Sequence, residues 1–161
     1  MSDPLATYLH DHLAGAVHAI DLLESMRNQH QDEPLGRFAA RLLIEIEEDR
    51  EVLRELAERT GVGSGGLKEL GAWFGEKVGR IKMSDSDAGG FGIFEALEFL
   101  TLGIHRKRAL WTALAVVAKT DARLRGVDFA PLAARAETQE SQVERKRLEV
   151  ARTAFPPAVP T

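Results

Sequence analysis

The chain has 161 residues, 44% of them hydrophobic, and a formal net charge of -4, which suits one domain able to close its own core and argues against a general nucleic-acid binder. It contains no cysteine, so disulfides, thiolate metal sites and a cysteine nucleophile are excluded. The start Met1-Ser2-Asp3-Pro4 has no basic region followed by an apolar stretch and no apolar run is long enough to span a bilayer, so a cytoplasmic location is expected.

Ser2 or Asp3 as N-cap and Pro4 in the first turn predict a helix from Pro4 to about Asn28. At 3.6 residues per turn, Leu5, Leu9, Ala16, Ala19, Ile20, Leu23 and Met26 form one apolar stripe with His12 in its middle. Tyr8 lies on the edge of that stripe, one turn before His12. Asp32-Glu33-Pro34 then opens a second helix whose stripe, Leu35, Phe38, Leu42, Ile46, Asp49, Leu53 and Leu56, contains an aspartate as the first contains a histidine. The run Gly61 to Gly66 formally matches the glycine pattern of dinucleotide-binding loops. It follows a helix, however, where a phosphate-binding loop follows a strand, so it reads as a helix terminus and turn.

Leu67 to Met83 is expected to be a shorter amphipathic helix, with Gly71, Gly75 and Gly79 on one ridge beside its stripe. A third long helix, about Ile93 to Ala118, is apolar on most of its circumference, with a narrow polar line of Glu98, Thr101, His105, Arg108 and Thr112. So little wet surface suits a central position or burial by a second subunit, and a homodimer through this helix is expected. After a turn at Lys119 to Gly126, a fourth helix, about Asp128 to Phe155, carries Glu140 and Arg147 inside its apolar stripe. The basic clusters Arg106-Lys107-Arg108 and Arg145-Lys146-Arg147 read as solvated or ion-paired helix faces. Residues 1–155 make a single domain, and the proline-rich stretch from 156 to 161 is a tail.

Four long helices joined by a short turn, a long connection carrying its own helix and another short turn describe an all-α four-helix bundle with a crossover. Asp11-His12-Leu13-Ala14-Gly15, Glu45-Ile46-Glu47-Glu48-Asp49-Arg50 and Leu97-Glu98 through Leu102-Gly103-Ile104 make the chain resemble the ferritin-like superfamily, and within it an uncharacterised bacterial four-helix-bundle family. The resemblance implies that helices 2 and 3 are parallel. Counting outward from the two turns then sets His12 opposite Asp49 and His105 beside Glu140, these four in about one layer, and by the same count Glu98 level with Arg147.

The superfamily's metal pattern implies a glutamate from each of two helices and Glu-x-x-His from each of the others. Here helices 2 and 4 carry Glu45-x-x-Glu48 and Glu137-x-x-Glu140, while His12 and His105 fall on the helices expected to supply only carboxylates. Two readings of the layer follow. In the first, His12, Asp49, His105, Glu140 and Arg147 form a satisfied, non-catalytic polar network, and the protein binds a partner or small ligand. In the second, His12, Asp49, His105, Glu140 and Glu98 hold Fe, Mn or Zn in a divergent centre with redox or hydrolytic activity. The first predicts a His12–Asp49 hydrogen bond. No residue is assigned a catalytic role, and neither a membrane nor a nucleic acid is expected as a partner.

Overall fold

A computed structural model describes residues 3–61 and 90–160. Their architecture is all-helical: α1 (Pro4–Gln29), α2 (Pro34–Glu58), α3 (Phe91–Val117) and α4 (Phe129–Ala154), with a 3-10 turn at Ala122–Leu124. The four long helices lie within about two residues of the bounds expected from caps and prolines. The shorter helix expected at 67–83 and its glycine ridge lie outside the described residues.

Local chemistry accounts for the helix starts. The Asp3 carboxylate accepts the Leu5 N–H at 3.0 Å and that of Asp128 accepts the Ala130 N–H at 3.1 Å, each satisfying one of the donors a helix leaves unpaired at its first turn. The turn into α2 is held differently. Glu33 makes no side-chain cap, but Asp32 takes the left-handed conformation at φ 64° and His30 is buried with its Nδ1 3.1 Å from Glu33. Here Gly36 is required: a Cβ on it would sit 1.9 Å from the carbonyl oxygen of His30.

Charged pairs establish how the helices run. As residue numbers rise in α2 from Glu45 to Asp49, their partners in α4 fall from Gln139 to Arg135. As they rise in α3 from Glu98 to His105, their α4 partners fall from Arg147 to Glu140. Both α2 and α3 are therefore antiparallel to α4 and parallel to each other, so the end of α2 and the start of α3 lie at opposite ends of the bundle. At one end, the Arg59 guanidinium donates to the carbonyls of Arg123 and Arg125 at 3.2 and 3.0 Å, and Arg123 pairs with Asp3. That contact joins the start of α1, the end of α2 and the turn between α3 and α4.

The core is built from the predicted stripes. Leu9, Leu23 and Met26 of α1, Leu42, Ile46, Leu53 and Leu56 of α2, and Leu97, Leu100, Ile104 and Leu114 of α3 are buried, each contributing about 1.5–3 kcal/mol of transfer free energy. Trp111 stacks on Phe129 across α3 and α4 with ring centroids 6.1 Å apart. Among the described residues no helix is long and apolar enough to cross a membrane.

Candidate functional site: a buried polar layer beside an apolar cavity

A buried polar network surrounds Asp49, and of the residues expected to share one layer it contains Asp49 alone. Asp49 is 2% exposed and its carboxylate is shared by two cations: Lys107 Nζ donates to one oxygen, and Arg135 donates to the other, its Nε at 3.1 Å. Lys107 also donates to Gln139 Oε1 at 2.5 Å, the Gln139 amide donates to Glu45 Oε2 at 2.8 Å, and Arg135 reaches Glu48 at 2.7 Å. Three helices thus share one network of charge-assisted bonds, which are the stronger kind. Burial is the larger influence on Lys107 and holds its ammonium below the ordinary lysine range, with Asp49 opposing.

The expected His12–Asp49 hydrogen bond is not formed. Both oxygens of Asp49 are taken by cations from α3 and α4, and among the described residues His12 has no hydrogen-bond partner. Its ring instead meets Tyr8 edge-on, with centroids 4.7 Å apart. Burial, with the nearby Arg106 charge adding to it, lowers the His12 pKa from 6.5 to about 4, so the imidazole is neutral at pH 7.

Two pairings read from the turn count are present. His105 Nδ1 lies 3.0 Å from Glu140 Oε1, and Arg147 donates to Glu98 at 3.2 Å. Both lie toward the surface, since the His105 and Glu98 side chains are more than half exposed. Glu140 has Arg108 as its second neighbour at 3.5 Å, while Arg147 also pairs with Glu144 at 2.7 Å and covers the Phe94 ring. His12, Asp49, His105, Glu140 and Glu98 are therefore divided among separate partnerships. Among the described residues no three His, Asp or Glu side chains are grouped so as to hold a metal ion.

Beside this layer is a cavity of about 380 Å³, open to solvent past the exposed Leu102 and Gly103, with a mostly apolar lining contributed by α1, α2 and α3. Its origin is a shortage of side-chain volume. Gly15, Ala16 and Ala19 of α1 and the exposed Gly103 of α3 all line it with little side chain, and among the described residues a Cβ on Gly103 would meet nothing within 4 Å. A Cβ on Gly15 would meet only the end of Arg106, at 3.5 Å. Leu22, Leu53, Leu100 and Leu110 back the lining, Phe99 and Leu102 are its more exposed apolar members, and His12, Asp49 and Lys107 stand in the wall. The volume equals that of about a dozen water molecules at ~30 Å³ each and falls in the range of small-molecule sites, about 300–1,000 Å³.

Sequence reasoning missed Lys107, Arg135, Gln139 and the cavity. The available signal for the cavity was the run of small residues Ala14-Gly15-Ala16 and Ala19 inside an otherwise large-residue stripe. Compared with family models, curated proteins and solved structures, the chain matches none significantly.

Proposed function

We propose that this protein is a ferritin-like four-helix bundle that works as a binding module, holding a small apolar molecule in the cavity between α1, α2 and α3. The observation that carries the reading is the cavity itself, a mostly apolar space of about 380 Å³ bordered by a few polar groups. Such a combination is the usual form of a small-molecule site. The parallel run of α2 and α3 supports the ferritin-like topology. The adjoining layer is structural on this reading. Asp49 is already neutralised by Lys107 and Arg135, and a divalent ion at Asp49 would have to displace both cations or be repelled by them. That donor set fits a satisfied network better than a centre of Fe, Mn or Zn.

The test is a titration with phenylnaphthylamine, a neutral apolar fluorophore. Saturable enhancement with one site per chain, lost in Ala19→Leu while the Tm is retained, is the expected result. Enhancement that does not saturate, or that Ala19→Leu leaves intact, would overturn the reading. Exposed apolar residues of α3 support self-association: Val116 is 65% exposed, and Leu102, which also lines the mouth of the cavity, is 64% exposed. We propose that a second copy of the chain covers them in a homodimer.

A further inference from the structure

Resting on the reading of the cavity as a ligand site, we infer that its ligand is a small amphiphilic anion, an apolar body ending in a carboxylate or similar oxyanion that Arg106 and His12 receive.

An apolar lining alone would accept any oily molecule, but two features of this wall ask for more. First, His12 is 7% exposed, lines the cavity and has no hydrogen-bond partner among the described residues. Its ring nitrogens still reach open space, so a ligand oxygen accepting its N–H would take the place of water there. Because this ring is neutral at pH 7, it offers a donor without adding a charge.

Second, the charges on the wall do not balance. Among the described residues Asp49 is the one carboxylate lining the cavity, and Lys107 and Arg135 already neutralise it. Arg50 and Arg106 line the same space; Arg50 is exposed and its charge acts on Glu51, whereas Arg106 has no ion-pair partner among the described residues. Arg106 is half-buried, close enough to His12 to influence its protonation, and its guanidinium reaches back toward Gly15 on α1. A guanidinium presents a planar fork of donors that matches a carboxylate, and a partly buried one without a counter-ion is a receptor for an anion. His18 also lines the cavity and adds no negative charge.

A ligand carrying acceptor oxygens suits these donors, and a cationic or purely hydrocarbon ligand does not.

The experiment uses the full chain with Trp73→Phe, which leaves Trp111 as the one indole reporter. Its fluorescence is followed on titration with octanoate, octanol and octylammonium, three probes with the same tail and different heads. The expected result is octanoate binding at least about tenfold tighter than octanol, with octylammonium weakest. Arg106→Met is expected to remove that advantage and leave octanol affinity unchanged. Equal affinities for octanoate and octanol, or an advantage that survives Arg106→Met, would overturn the anion inference while leaving the ligand site standing. Failure of all three to bind would overturn both.

Discussion

Replacing His12 by leucine should flatten the acid side of the stability curve. Its folded-state pKa of about 4 lies below the ordinary 6.5, so between those values the unfolded chain binds a proton that the native state refuses. The unfolded state then holds more protons than the native one, and stability rises with pH across this window. The contribution is fully present above 6.5 and lost as pH falls toward 4. At about 1.36 kcal/mol for each pH unit, the whole span is worth about 3 kcal/mol, of which about 2.5 kcal/mol is already lost at pH 4.5. Against the ~5–15 kcal/mol stability of an ordinary domain, that is a large fraction. Carboxylates held low by arginines, such as Asp121 at about 2, titrate below this window and are common to both proteins. Urea unfolding followed by circular dichroism at pH 7.5 and pH 4.5 measures the difference. Wild type should lose about 2–3 kcal/mol more than His12→Leu. Equal losses, or a His12 ring that titrates near 6.5 by NMR, would refute the claim that this imidazole is buried and neutral.

Three further outcomes are expected. Asp49→Ala should cost about 3–5 kcal/mol by leaving Lys107 and Arg135 without their counter-ion, and adding Lys107→Met should recover part of the loss; additive losses in urea melts would contradict the network. Gly103→Ala should raise stability by about 0.5–1 kcal/mol, because among the described residues the new methyl meets nothing within 4 Å and alanine favours the helix; a lower Tm would show that α3 packs more tightly there. Light scattering should give a mass near twice 17.7 kDa, reduced to one chain by Leu102→Glu with Val116→Glu, and a wild-type monomer would remove the dimer proposal.

Much of this fold is readable from spacing because caps and stripes are local. Asp3, Pro4, Pro34 and Asp128 stand where helices begin, and the stripe through Leu42, Ile46, Asp49 and Leu53 is buried as its period requires. Register across a short turn is also countable, which is why His105 meets Glu140 and Glu98 meets Arg147. The partners of Asp49 escaped because a helical wheel follows backbone position and ignores reach. Lys107 and Arg135 carry long flexible stems, so their charged ends enter a layer that their backbones flank. His12 shows the opposite failure: its burial was legible, but its lack of a partner depended on Asp49 being claimed from α3 and α4. The cavity depends on volume missing across two helices, at Gly15, Ala16 and Ala19 on one and Gly103 on the other, and no single stripe reveals such a deficit.

The most direct test of the ligand site is to follow amide and indole N–H chemical shifts while octanoate is added to isotopically labelled protein. Saturating changes concentrated at His12, Gly15, Gly103 and the Trp111 indole N–H are predicted, since all four residues line the cavity. Changes that fail to saturate, or that gather on α4, which contributes nothing to its wall, would contradict the proposal.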